Sequence, residues 1–272
     1  MNFRGLMRVW EHTREYVERG EGARTFAVPL VTKVRYSEAD QMHILSQTLS
    51  CVGELKVENE DCLVVGRRLL DQGLSPMIHI LADHRFPGGD VKMGSGAQEE
   101  SLFRRTNLCR ALKQTDFYPI NADEAVVCLS ATVFKSPEIS NCEMLSSPFH
   151  LDFCACPGLQ NPKLAEGLAF FPEQEQTLRK KIRLILQAAY RCRNDSVVLG
   201  PLGCGAWRNP PEQVARIMRE EVVPYMHVFK VVVVACLEVD PFSYIVLHRD
   251  KPSNYVIFER ELCGPGGSPS SR

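Results

Sequence analysis

Glu99 and Glu100 stand side by side, directly after the glycine-rich run Arg85-Phe-Pro-Gly-Gly-Asp-Val-Lys-Met-Gly-Ser-Gly-Ala97 and Gln98. Adjacent helical residues point about 100° apart, so these carboxylates cannot face one another across a single bond as a glycosidase pair does. If both act, they act differently. Carboxylates in a first helical turn also complement the helix dipole, by roughly 0.3–1 kcal/mol, and that alone could account for them. A general acid needs a raised pKa, and burial, worth up to roughly 3–5 units, outweighs the opposing dipole, so the acid role requires a water-poor pocket. Gly88, Gly89 and Asp90 precede the pair in a loop whose backbone N–H groups can close on an anion where no Cβ intervenes. A second run, Gly200-Pro-Leu-Gly-Cys-Gly-Ala-Trp-Arg-Asn-Pro-Pro211, has the same character. Two such nests facing each other would clamp a diphosphate. Trp207 either stacks on a ribose or base or caps the core beneath the loop. Cys204 suits its place by small size, since no base stands near it.

These residues need strands before them and helices after them. Met77 to Leu81 is a short apolar run that suits a buried strand, and Gln98 to Lys113 places Leu102, Thr106, Cys109 and Leu112 on one helical stripe. Ser196 to Leu199 is a strand leading into the second loop, followed by a helix over Gln213 to Val222. Around them the pattern predicts a helix in residues 1 to 20 ended by Gly20 or Gly22, and an edge strand or an extended arm over Thr25 to Tyr36, interrupted by Pro29. Leu55 to Val57 reads as a strand and Asp61 to Leu70 as a helix capped by Asp61. Strands are expected over Glu124 to Phe134, Phe149 to Cys156, Val228 to Val239 and Tyr255 to Phe258, with a long helix over Pro172 to Cys192. The alternation predicts an α/β fold, a sheet with helices on both faces, whose ligand sits where strands end in loops at a switch point. The tail, 261 to 272, is expected to be disordered.

The 272-residue chain is ordinary in composition, with a formal net charge of -1, and this excludes the strongly basic face that indiscriminate nucleic-acid binding requires. No secretory signal and no membrane span are read from it. An odd 11 cysteines, scattered through predicted strands and helices, point to reduced thiols in the cytoplasm or nucleus. Cys154 and Cys156, taken with Cys142 or His150, lack a partner pair at zinc spacing, so neither metal nor cofactor is expected. His248-Arg-Asp-Lys-Pro-Ser-Asn254 echoes a kinase catalytic loop but is one residue short between Asp and Asn, with too little chain after it.

Pro87-Gly-Gly-Asp90, followed by Gln98-Glu-Glu-Ser-Leu102, resembles the Gly-Gly-Gly…Gln-Glu-Glu signature of the microbial-type poly(ADP-ribose) glycohydrolases of the macrodomain superfamily. Val57 to Leu63, Phe153 to Asn161 and Leu199 to Pro211 resemble the family's early strand and helix, its strand end and its diphosphate loop. The resemblance covers roughly residues 55 to 240. It implies a three-layer macrodomain-like mixed sheet over 55 to 260, with an N-terminal helical extension over 1 to 54 packed on it. It also implies a substrate, poly(ADP-ribose) or ADP-ribosylated protein, with ADP-ribose as product, and a monomer with no specific DNA or membrane partner. Glu100 would be the catalytic acid and Glu99 would orient the distal ribose. Gln98, Gly88, Gly89, Asp90, Gly203, Cys204, Gly205, Ala206 and Trp207 would line the ligand, with Asp61 near the adenine end. Asp90 stands where the family has a third glycine, and no asparagine stands in Ile80-Leu-Ala-Asp-His84. An ADP-ribose-binding reader without hydrolysis, or an interaction protein that has lost the pocket, are the alternatives.

Overall fold

The computed structural model describes residues 1–47, 52–166, 169–238 and 252–264. Its centre is a seven-stranded mixed sheet in the order β1-β4-β5-β3-β6-β7-β2. The strands are β1 (Leu30–Arg35), β2 (Glu54–Glu58), β3 (Pro76–Ile80), β4 (Glu124–Lys135), β5 (Met144–Ala155), β6 (Ser196–Leu199) and β7 (Val231–Ala235). β1, β4 and β5 pair antiparallel, while β5, β3, β6, β7 and β2 run parallel. Helices cover both faces, because the central strands are apolar on both sides: Val197 and Leu199 of β6 enter one core, and Val198 enters the other. The first core is closed by α8 (Pro172–Arg191) and α9 (Pro211–Val222), the second by α4 (Cys62–Asp71) and α5 (Gln98–Arg105). This is the predicted three-layer α/β arrangement.

β3 and β6 are hydrogen-bonded neighbours, yet the chain leaves β3 toward the face of α5 and leaves β6 toward the face of α9. Both loops thus lie at the carboxyl ends of neighbouring strands whose chains leave to opposite faces, the place where open α/β sheets hold ligands in a crevice. Helix α1 (Phe3–Glu18) buries Leu6, Trp10, Thr13 and Val17 on one stripe. Trp10 packs 6.4 Å from Phe103 of α5, so α1 braces the helix that carries the carboxylates. Residues 1 to 20 and the edge strand β1 follow the expected pattern, as does the Asp61 cap, whose carboxylate accepts from the N–H groups of Leu63 and Val64.

Four expectations are corrected. The helix predicted over Gln98 to Lys113 stops at Arg105, and a separate turn, α6 (Leu108–Ala111), follows. The cause is long-range: Thr106 is extended and bridges Val133, while buried Asn107 accepts from the N–H of Thr132 and donates to the carbonyl of Ala27. The strand predicted over Tyr255 to Phe258 is a helix, Asn254–Cys263, capped by Ser253, with Ile257, Phe258 and Leu262 buried at helical spacing. A four-residue apolar run does not by itself separate the two structures. That helix also crosses the expected tail boundary at 261; residues 265–272, like 248–251 of the kinase-like run, lie outside the described residues. Of the strand predicted over Val228 to Val239, the described residues form Val231–Ala235, and Val239 lies outside them.

His79, in the middle of β3, is fully buried, with Nε2 3.0 Å from the carbonyl of Cys156. Burial lowers its pKa from 6.5 to about 4. Between those values the unfolded chain binds a proton that the folded chain refuses. The contribution of neutral His79, complete above the unfolded value, is therefore lost as pH falls toward about 4. On going from neutral pH to about pH 4.5, wild type is expected to lose about 2 kcal/mol more stability than His79→Gln in urea unfolding; equal losses contradict this.

Candidate active site

Helix α5 begins where the glycine loop ends; its first residue holds the preceding strand, and its second and third hold the loop. Gln98 clamps helix to strand: its Oε1 accepts from the N–H of Leu81 at 2.8 Å and its Nε2 donates to the carbonyl of His79 at 2.8 Å. Glu99, 3% exposed, accepts from the N–H of Asp83 at 2.6 Å through one oxygen and of Gly88 at 3.0 Å through the other. Burial pushes its carboxyl well above the ordinary value, against those two donors, and the nearby carboxylates of Glu100 and Asp83 push the same way as burial. Glu100, 7% exposed, accepts from the N–H of Asp90 at 3.1 Å through Oε1. The two neighbours thus divide the work. Glu99 spends both oxygens on the loop, and Glu100 spends one.

Gly89 makes this closeness possible. Its φ is +51°, and a Cβ there would stand 2.6 Å from Oε1 of Glu100 and 3.4 Å from Oε2 of Glu99. Asp83, which sequence reasoning did not single out, shapes the loop: its Oδ1 accepts from the N–H groups of Arg85 and Phe86. An Asp just beyond a strand, ahead of Pro and Gly, is the signal of such a turn. Tyr118 was also missed. It is buried, its phenol has no hydrogen-bond partner among the described residues, and burial followed by the charges of Glu99 and Asp83 holds its ionisation well above the usual range. The side chain of Asp90, at the third glycine position, is exposed; its backbone, not its carboxylate, faces Glu100.

The second loop is held in shape by Asn209, 1% exposed, whose Nδ2 donates to the carbonyls of Leu159, Gly203 and Trp207. Gly203 has φ +75°, and a Cβ there would strike Asn209 Nδ2 at 2.5 Å. Gly205 and Ala206 are exposed at the tip, and Trp207 is half-buried. Burial pushes the Cys204 thiol well above its usual range, which agrees with a role for its size. The rings of His84 and Trp207 meet edge to face at 6.3 Å, so the two loops close on the same crevice. The strand end Phe153 to Asn161 joins them, with the N–H of Asn161 donating to the carbonyl of Trp207.

Asp61 is engaged elsewhere in this arrangement. Besides capping α4, it pairs with Arg105 at 2.6 and 3.1 Å, both side chains nearly excluded from solvent. Removing one partner of such a pair leaves an uncompensated buried charge, so Asp61→Ala is expected to cost about 3–5 kcal/mol in urea unfolding. A loss below about 1 kcal/mol, as for an exposed pair, contradicts this.

Comparison with known proteins bears on the whole arrangement. Residues 11–142 match the family model described as microbial-type PARG, catalytic domain. No curated protein matches the chain. Among solved structures, the fold is similar to poly(ADP-ribose) glycohydrolase from Thermomonospora curvata, with 22% identity, a TM-score of 0.75, and 95% of this chain and 99% of that one covered. The same enzyme bound to the inhibitor ADP-HPD gives 23% identity and a TM-score of 0.73, over 94% of this chain and 99% of that one. Poly(ADP-ribose) glycohydrolase from Deinococcus radiodurans in complex with ADP-ribose gives 23% and 0.70, over 85% and 94%. At these identities the structures share the fold. The segment that resembles the microbial-type PARG catalytic domain, residues 11–142, holds the first glycine loop and both carboxylates.

Proposed function

We propose that this protein is a poly(ADP-ribose) glycohydrolase, which cleaves ribose–ribose O-glycosidic bonds, or the bond to a modified protein, and releases ADP-ribose. The observation that carries this is the position of Glu100: it is buried at the crevice, with Oε1 on the N–H of Asp90, beside a glycine whose missing Cβ leaves room for it. The diphosphate lies between the backbone donors of the two glycine loops, and Trp207 offers its ring to the sugar or base. Glu100 protonates the leaving ribose oxygen as the bond to the anomeric carbon breaks with oxocarbenium character. Water then adds to that carbon, and its proton returns to the Glu100 carboxylate. Glu99, with both oxygens on the loop, keeps the distal ribose site in register. Asp90 is exposed, so water screens its carboxylate from a diphosphate bound at this loop.

The test pairs chromatographic detection of ADP-ribose released from poly(ADP-ribose) with calorimetric titration of ADP-ribose. Release together with binding is expected. Heat without release makes the protein a reader, and failure of both removes the function altogether.

A further inference from the structure

We infer that the chain carries a second ligand site, separate from the carboxylates, for a small organic anion: one phosphate, sulfonate or carboxylate head on an aromatic or apolar body. The site is a cavity of about 350 Å³ between α4, the last turn of α5 and the paired strands β4 and β5. Arg105, which lines it, lies six residues beyond Glu99, about 9 Å along the helix at 1.5 Å per residue. The cavity has an apolar floor, with Leu63 and Val133 1% exposed. Its cations are Arg67, Arg68, Arg105 and Lys135, against Asp71 as the lining acid.

Three observations mark a missing anion. Lys135 is 3% exposed, yet its ammonium meets only neutral acceptors, the Thr13 hydroxyl at 2.6 Å and the Val9 carbonyl at 3.3 Å, and it has no carboxylate partner among the described residues. An ammonium has three donors, and beyond these two acceptors it meets the face of the Phe134 ring, 6.0 Å to the centroid, so no anion claims the third among the described residues. Arg105, although paired with Asp61, keeps a buried Nε with no hydrogen-bond partner. Buried donors of this kind are costly unless something accepts from them. The third observation concerns the body of the ligand: the guanidinium of Arg67 lies 5.0 Å from the centre of the Phe149 ring, a planar wall on which an aromatic group can stack. Among the described residues Arg67 is otherwise held by an exposed pair with Asp71, a weak tie that an incoming anion can replace.

Phenyl phosphate, inorganic phosphate and phenol are the probes, titrated calorimetrically into the full chain with and without saturating ADP-ribose. Phenyl phosphate is expected to bind at least ~10-fold more tightly than either of the others, since it alone satisfies both halves of the cavity, and to bind equally well when ADP-ribose is present. Lys135→Met and Arg67→Gln should each weaken it at least ~10-fold. Arg67 is exposed enough for its variant to keep the wild-type circular dichroism spectrum, which covers the event that Lys135→Met does not fold. Absence of phenyl phosphate binding, its displacement by ADP-ribose, equal binding of phenol, or unchanged affinity in folded Arg67→Gln overturns the site. Binding unaffected by ADP-ribose stands whether or not the crevice hydrolyses a polymer, so the two proposals fail separately.

Discussion

Gly89→Ala is expected to lower ADP-ribose release from poly(ADP-ribose) by at least ~100-fold, while the fold loses only about 1–2 kcal/mol. The modest stability term comes from the backbone: φ at Gly89 is +51°, which an L residue adopts at a cost. The large activity term comes from where the added methyl would stand, 2.6 Å from Oε1 of Glu100. That oxygen ends a flexible side chain, so the fold yields cheaply by letting the carboxylate move. Catalysis does not yield cheaply, because displacement of about 1 Å in a reacting group costs on the order of 100-fold. Circular dichroism and urea unfolding, read alongside release, separate the two terms. Retained activity in a folded Gly89→Ala protein would mean that Glu100 is not held where the structure has it.

Much of the site could be read before the structure was seen, because its local parts obey local rules. A buried strand, a glycine loop and an amphipathic helix carry periodicity and backbone signals within a few residues of one another. The same holds for the Asp61 cap and the edge position of β1. What stayed hidden depends on partners far along the chain. Gln98 looked like a ligand contact from its place in the motif, but its amide is consumed by main-chain groups at His79 and Leu81. Asn209 gave no signal as the brace of the second loop, because its acceptors include Leu159 on another strand's end. Helix α5 ends at Arg105 rather than continuing to Lys113, since Thr106 and Asn107 are claimed by β4 and by the carbonyl of Ala27. The Glu99–Glu100 pair shows both sides. Their adjacency implied different roles, and among the described residues their hydrogen bonds differ: one carboxylate accepts from Asp83 and Gly88, the other from Asp90.

The second large effect belongs to Glu100→Gln. Glutamine keeps the size of the side chain and can still accept from the N–H of Asp90, so the loop has no reason to rearrange. It has no proton to give to a leaving oxygen. Loss of a general acid lowers the rate by roughly 10²–10⁴-fold, and because the group acts in the transition state, ADP-ribose affinity should stay within about threefold of wild type. The measurement is release of ADP-ribose from poly(ADP-ribose) by folded Glu100→Gln, with calorimetric ADP-ribose affinity taken on the same preparation. A fall in release of at least ~100-fold at unchanged affinity is the predicted result. Wild-type release by the variant would contradict the assignment of Glu100 as the acid.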